Sequence, residues 1–271
     1  MGRTLRALSE YKSILEQARV EKIVIAATSA VRDARNSDIF LSRVEQLFGI
    51  EVKVLSGEKE AQLAFLGATY DLDNSSLLSH PSYQLALVLD IGGGSTELIL
   101  GEPPGIRDRY SLDIGSVRLT EMFLKSDLPT DVEVEQTKQY IHQMLAPVSS
   151  KVKEAQWWPG GSKVILIGVA GTITTISAVK QGMATYDSSK IHHSRLSYAD
   201  IDKISAAFLS TPLAERKEII GLEPKRADII IAGTLITLSV MEVFDLCEII
   251  VSERDILDGL ILSFSHFKTM F

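Results

Sequence analysis

The chain has 271 residues, of which 45% are hydrophobic and 7% aromatic, and its net charge is −7. This length is enough for one large or two medium domains, each with a core made mainly of aliphatic side chains. The negative charge argues against non-specific nucleic-acid binding as the main role. The single cysteine, Cys247, cannot form an internal disulfide, and we expect it to be buried in the core rather than to act as a nucleophile.

No segment has the pattern of a targeting signal or of a membrane span. Residues 1–10 are polar and mixed, and the most apolar stretch, residues 229–241, lies between two acidic residues. That stretch is shorter than the roughly 18 uncharged residues that a spanning helix needs. We therefore expect a soluble, cytoplasmic protein that binds neither membrane nor nucleic acid.

Strand-like and helix-like segments alternate along the chain, which predicts an α/β fold. The pattern predicts first an amphipathic helix over residues 5–18, then a strand at 22–28, a helix at 37–48, a strand at 51–55 and a helix at 58–70. Residues 71–82 are turn-rich and predict a domain junction. Beyond it we expect strands at 85–89, 96–100, 164–167 and 248–251, and helices near 132–153, 198–209 and 256–264.

The segment Asp90-Ile91-Gly92-Gly93-Gly94-Ser95 predicts a phosphate-binding turn between two strands. Glycines remove side chains, so that backbone N–H groups can face an anion directly, and Ser95 adds a hydroxyl donor. Asp90 follows an apolar strand, and its carboxylate could hold a hydrated Mg²⁺ against phosphate oxygens. Glu97, on the outgoing strand, could share that metal or position a water. A plain glycine-rich hairpin turn is the alternative interpretation.

Two further segments carry charged residues where a phosphate site could use them. A strand-to-helix turn, residues 56–61, contains Glu58 and Glu60, either of which could act as a general base or could simply favour the helix dipole. Arg32 follows the first strand, at the sheet edge where ligands of α/β proteins bind. Its guanidinium suits bidentate phosphate contact, and a surface ion pair is nearly as good an explanation.

Glycine also marks two apolar segments in the second half of the chain. In residues 168–172, Gly171 and Thr172 stand between a strand and a helix, where N–H groups could bind a phosphate or nucleotide, although close packing explains the glycines equally well. Residues 229–234 read as a buried segment in which Gly233 allows close packing. His192 and His193 lie near Asp187, but we expect adjacent loop histidines not to converge on one ion, and so predict no zinc site.

Together these segments resemble the exopolyphosphatase/guanosine pentaphosphate phosphohydrolase family, which has the actin–Hsp70–sugar-kinase superfold. Their joint order along the chain, more than any one of them, carries the resemblance. The matching stretches are ATSAVRDARN (27–36), VLSGEKEAQLAFLGA (54–68), LVLDIGGGSTELILGE (87–102), IGVAGTITTISAV (167–179), RADIIIAGTLIT (226–237) and SERDILDGLI (252–261).

The resemblance implies two ribonuclease-H-like domains with a cleft between them. The first would cover residues 1–80, completed by a C-terminal helix at 255–271, and the second residues 83–254. It also implies roles: Glu60 is the catalytic glutamate, Asp90 and Glu97 are metal-associated acids, and Arg32 contacts phosphate. Gly92, Gly93, Gly94 and Ser95 match the family's second phosphate loop, and Gly171 and Thr172 join the predicted phosphate-binding set.

The chain departs from the family pattern in three ways. Members carry a D-x-G-(S/T)-N-S-type first phosphate loop ahead of the segment with which this sequence starts, and long members have further C-terminal domains. The resemblance therefore describes a short form whose first domain is N-terminally incomplete, with an exposed sheet edge that a homodimer could cover. His193 stands where the family usually has glycine.

The function that these expectations favour is hydrolysis of the terminal phosphoanhydride of polyphosphate or of guanosine pentaphosphate, with Mg²⁺ or another divalent cation as cofactor. Two alternatives remain open. One is a phosphate- or alarmone-binding module without catalysis, and the other is an ATP-dependent kinase of the same superfold.

Overall fold

The computed structural model describes residues 1–32, 34–72, 83–103 and 105–265. Their contacts divide the chain into two compact units, Met1–Ala61 and Gln62–Phe271. The predicted junction at residues 71–82 lies almost wholly outside the described residues, as do the last six residues of the helix predicted at 255–271. The predicted domain boundaries therefore stay predictions.

The smaller unit is built on a two-stranded parallel sheet. Its core joins Ala27, Val44 and Val52 to the apolar side of the first helix, including Leu5 and Leu8, as the amphipathic pattern predicts. Gly49, with φ of 69°, ends the third helix in the left-handed conformation that glycine adopts without strain. The elements are α1 (Gly2–Gln17), β1 (Ile25–Ala27), α2 (Ser29–Arg32), α3 (Ser37–Phe48), β2 (Val52–Val54) and the start of α4 (Gly57–Thr69).

The larger unit is built on a six-stranded mixed sheet with strand order β5-β4-β3-β6-β8-β7. Strands β3, β6 and β8 run parallel, whereas β4, β5 and β7 are antiparallel to their neighbours. Its strands are β3 (Leu85–Ile91), β4 (Thr96–Glu102), β5 (Gly105–Leu112), β6 (Val164–Val169), β7 (Arg195–Ser197) and β8 (Glu248–Val251). Its helices are α5 (Ser116–Phe123), α6 (Asp131–Glu154), α7 (Ala170–Lys180), α8 (Ser188–Ile191), α9 (Tyr198–Ser210), α10 (Leu213–Arg216), α11 (Ile230–Val243) and α12 (Ile256–Ser265).

The main core lies on one face of this sheet. Alternate side chains of β3 and β4, such as Leu87, Leu89 and Leu98, pack there with α5, α6, α7, α9 and α11. The intervening residues of both strands project from the other face, because successive strand side chains point in opposite directions. On that face Gly101 lets the ring of Phe65 in α4 approach to within 3.0 Å of the position a β-carbon would take.

The predicted α/β class is confirmed, and the predicted elements are present with small shifts of their ends. The buried segment at residues 229–234 becomes the start of α11, where Gly233 packs against Thr172 as expected. The expectation for Cys247 is wrong: it is exposed, because it lies in the turn between α11 and β8 rather than in the core. None of the helices within the described ranges combines the length and apolarity needed to cross a membrane.

Candidate active site

The glycine turn connects β3 to β4 and carries the two predicted metal-associated acids. Asp90 and Glu97 are directly opposite each other in the antiparallel ladder, and both are half-buried. Opposed residues have β-carbons about 4.5–5.5 Å apart on one face of the sheet. The two carboxylates therefore share a small region of the sheet surface, where their mutual repulsion favours a cation between them.

Hydrogen bonds orient Glu97 for such a role. The hydroxyls of Ser95 and Ser111 donate to its Oε1 at 2.7 and 3.0 Å, and Oε2 has no partner among the described residues. One carboxylate oxygen is thus fixed by the protein, and the other is available to a ligand. The chemistry of this oxygen donor set fits Mg²⁺. The Ser95 hydroxyl donates to Glu97, so the donor that Ser95 still has for a phosphate is its backbone N–H.

The first turn of α5 fixes the peptide groups of the glycine turn. The N–H of Ser116 donates to the Gly92 carbonyl at 3.0 Å, and the N–H groups of Val117 and Arg118 donate to the Gly93 carbonyl at 3.0 Å. In a trans peptide the N–H points opposite to the C=O. The N–H groups of Gly93 and Gly94 therefore point away from α5, and within the described residues neither has an acceptor.

Successive backbone N–H groups that point the same way form an anion-binding concavity. This feature of the turn is what the glycine pattern predicts. Sequence reasoning did not identify α5 as the element that orients these groups. The available signal was Gly115: a β-carbon there would lie 2.4 Å from the Gly93 carbonyl oxygen, so only glycine allows this approach.

In the smaller unit, Glu60 and Arg32 form an ion pair. Arg32 Nη1 lies 3.3 Å from Glu60 Oε2 and donates to the Leu55 carbonyl at 2.7 Å, and both side chains are about one-third exposed, at 32% and 30%. Glu60 is in the first turn of α4, whereas Glu58 is exposed. Arg32 thus holds one oxygen of Glu60, and Oε1 has no partner among the described residues.

The junction between β6 and α7 borders a pocket of about 460 Å³ in the larger unit. A β-carbon on Gly171 would lie 2.3 Å from the guanidinium of Arg226, so this glycine makes room for that cation. Thr172 is only 3% exposed and packs against Gly233, and it is not among the residues that line the pocket. The polar residues that line the pocket also include Thr174, Thr175, Tyr186 and Glu223.

Tyr186 is the exposed aromatic of this pocket. Burial of the hydroxyl and its hydrogen bond to Glu253 raise the pKa of Tyr186 to about 12, so it is a neutral phenol at physiological pH. Arg226 Nε donates to Glu223 Oε2 at 3.1 Å. The pocket thus combines a neutral aromatic ring with a cation and an anion.

A second cluster of polar side chains joins His192 and His193 to Asp71. The two imidazole rings stack at 3.8 Å, and their Nε2 atoms lie 2.9 and 3.2 Å from the two oxygens of Asp71. The expectation that these histidines would not converge is wrong, because His193 adopts φ of 63° and turns its ring beside that of His192. Glycine adopts such a backbone angle without strain, which agrees with the glycine that the resemblance implies at this position.

Asp71, His192 and His193 lie close enough to share an ion, but the hydrogen bonds of His192 do not fit a metal on its Nε2. The backbone N–H of Glu253 donates to His192 Nδ1 at 3.2 Å, so a neutral His192 carries its proton on Nε2 and donates it to Asp71. A metal on Nε2 would require the proton on Nδ1, opposite the N–H of Glu253. Arg254 Nε also lies 3.2 Å from Asp71 and supplies the positive charge of the cluster.

Comparisons with known proteins agree with this geometry. The profile of the Ppx/GppA phosphatase family matches residues 1–267. Exopolyphosphatase 2 of Mycobacterium tuberculosis is 35% identical over 274 residues, covering 97% of this chain and 81% of that protein. The bifunctional 3-dehydroquinate synthase/phosphatase of Fusobacterium nucleatum is 38% identical over 267 residues, which cover 96% of this chain but only 38% of that longer protein.

Solved structures give the same result. The crystal structure of the Aquifex aeolicus member of the Ppx/GppA family has a TM-score of 0.83 and 32% identity, over 100% of this chain and 82% of that one. An exopolyphosphatase from Cytophaga hutchinsonii has a TM-score of 0.81 and 25% identity, over 98% of this chain and 82% of that one. The predicted fold, that of the Ppx/GppA proteins, is confirmed.

Proposed function

The chain belongs to the Ppx/GppA phosphatase family, and from this premise we propose that it hydrolyses the terminal phosphoanhydride of inorganic polyphosphate or of guanosine pentaphosphate. The observation that carries the proposal is the β3–β4 turn, whose amides point one way beside the opposed carboxylates of Asp90 and Glu97. Oriented N–H donors bind the terminal phosphate oxygens and stabilise the charge that they carry in the transition state.

Glu60 is the general base of the proposed reaction. Its Oε1 takes a proton from a water molecule, whose oxygen then bonds to the terminal phosphorus. The bond from this phosphorus to the bridging oxygen breaks, and the shortened chain leaves with that oxygen. Arg32 fixes the Glu60 carboxylate through Oε2, so that Oε1 is presented in one orientation.

Asp90 and Glu97, the latter through Oε2, would hold the Mg²⁺ that the resemblance implies. When bound, such an ion neutralises phosphate charge and thereby helps the terminal group to accept a nucleophile. Ser95 and Ser111 orient Glu97 for this role, and the amides of Gly93 and Gly94 bind the anion.

The decisive experiment compares Glu60→Gln with Glu58→Gln in a phosphate-release assay with polyphosphate. Glutamine at position 60 keeps the shape but cannot take a proton, so we expect release to fall by about 10²–10⁴-fold with substrate affinity nearly unchanged. Glu58→Gln is the matched control, because Glu58 is exposed in the same helical turn. Full activity of Glu60→Gln would rule out its role as the base. Tight binding with no release by the unaltered protein would favour a binding module.

The pocket beside Gly171 supports the alarmone as a second candidate substrate. Tyr186 offers a ring on which a base can stack, and Arg226 offers a cation near the N-terminus of α7. Tyr186→Ala should raise the KM for guanosine pentaphosphate about tenfold, the size expected for one stacking contact. The KM for polyphosphate should stay within twofold. Equal effects on both substrates would show that the pocket does not bind the nucleoside.

A further inference from the structure

Three consecutive peptide groups of the glycine turn have their carbonyls on the side of α5. The carbonyls of Gly92 and Gly93 accept from backbone N–H groups of α5, and the Gly92 carbonyl also accepts from the Ser116 hydroxyl at 3.3 Å. The carbonyl of Gly94 accepts from a side chain instead, the Nε of Arg118, at 2.7 Å. Among the described residues, Arg118 is the sole partner of the Gly94 carbonyl.

The position of Arg118 suits this contact. Its own backbone N–H donates to the Gly93 carbonyl at 3.0 Å, so the residue contacts two successive peptide groups of the turn. Its Nη2 lies 3.4 Å from Asp113 Oδ1, and the side chain is 44% exposed. A β-carbon on Gly94 would lie 4.0 Å from Nη2, an ordinary van der Waals distance, so this contact does not depend on the absence of a side chain at Gly94.

We propose that Arg118 is a positioning residue of the phosphate site, which fixes the third amide of the turn by holding the Gly94 carbonyl. Because the peptide is planar and trans, this bond turns the N–H of Ser95 to the side on which Gly93 and Gly94 present theirs. The anion is then met by three amides rather than two. The inference rests on the proposed function, since it assigns a role within the same site.

A purely electrostatic role makes a different prediction. If Arg118 acted only through its positive charge, an Arg118→Lys variant would bind phosphate as well as the unaltered protein. The contact to Gly94 uses Nε, which lies within the planar guanidinium and has no counterpart in lysine, whose ammonium is a point charge at the end of a flexible chain. Lysine at this position keeps the charge and loses the contact.

The test follows the backbone amides directly, with sodium tripolyphosphate as the probe and ¹⁵N-labelled protein. In the unaltered protein the amide resonances of Gly93, Gly94 and Ser95 should all shift as the probe is added. In Arg118→Ala and Arg118→Lys the Ser95 shift should be lost while Gly93 and Gly94 still respond. The affinity should fall about tenfold or more, as expected for one hydrogen bond to a charged group. Asp113→Asn, which removes only the ion pair, is the control and should behave as the unaltered protein.

The outcomes separate this inference from the proposed function. A Ser95 shift that survives in Arg118→Ala, or is restored in Arg118→Lys, overturns the positioning role. So does an Asp113→Asn variant that is as impaired as Arg118→Ala. Normal amide shifts without phosphate release overturn the hydrolase and leave the role of Arg118 standing. If the amides of the unaltered protein do not respond to the probe, both proposals fail.

Discussion

Gly115→Ala tests how the phosphate turn is held. The residue precedes α5 with φ of −145°, an extended angle that alanine adopts freely, so the substitution carries no conformational penalty. Its effect is steric. The new β-carbon would lie 2.4 Å from the Gly93 carbonyl oxygen and 2.6 Å from the Gly94 carbonyl carbon. Because both contacts are to backbone, α5 and the turn must separate by about 1 Å to reach ordinary van der Waals distance.

That separation lengthens the three bonds from Ser116, Val117 and Arg118 to the turn, each now 3.0 Å. Such bonds contribute about 0.5–1.5 kcal/mol each, and inserting a carbon into a packed site costs about 1–3 kcal/mol. Since the bonds weaken rather than vanish, we expect the free energy of unfolding to fall by about 2–4 kcal/mol. For a unit of this size the Tm should drop by about 5–15 °C.

Phosphate release should fall by about a hundredfold or more, because the amide donors are no longer fixed where charge develops. Thermal unfolding and release from polyphosphate measure the two effects. Gly105→Ala is the control, since its β-carbon would meet its nearest neighbour, the Glu102 carbonyl oxygen, at an ordinary 3.6 Å. A Gly115→Ala protein with unaltered Tm and activity would refute the claim that α5 orients the turn.

Three further predictions follow from other contacts. We expect Mg²⁺ at a hundred times its Kd to stabilise the unaltered protein by about 2.7 kcal/mol and so to raise its Tm. Asp90→Asn should abolish this rise in Tm. A rise equal to that of the unaltered protein would exclude Asp90 as a ligand. Burial, with the charge of Arg254, lowers the pKa of His193 below its ordinary 6.5, so His193 contributes stability above pH 6.5 that is lost as the pH falls from 6.5 toward the lowered pKa. His193→Gly should therefore unfold with a flatter pH dependence between about pH 7.5 and 5, and an unchanged profile would contradict this. Thr130→Ala removes the capping box with Glu133 at the start of α6 and should lower the free energy of unfolding by about 0.5–2 kcal/mol in chemical denaturation, whereas no change would show that the cap is dispensable.

The sequence determined those features that depend on neighbouring residues. The hydrophobic pattern was sufficient for the α/β class, because strand and helix periodicities are local properties. It also indicated the glycine turn and its acids: residues on the two strands of a tight hairpin are opposed in register, which brings Asp90 and Glu97 together. Neighbouring residues were also enough to predict the strand-to-helix turn that carries Glu60. The preference for Glu60 over Glu58 came from the family resemblance.

The tertiary structure decided which distant side chains support these features. Arg118 and Gly94 are 24 residues apart, and His193 and Asp71 are 122 apart, so no spacing rule relates them. Cys247 lies in sequence between the apolar Leu246 and the acidic Glu248, and a turn exposes it. In each case the outcome depends on how α5, α8 and the turn before β8 pack, which is fixed by the burial of the whole sheet rather than by any local pattern.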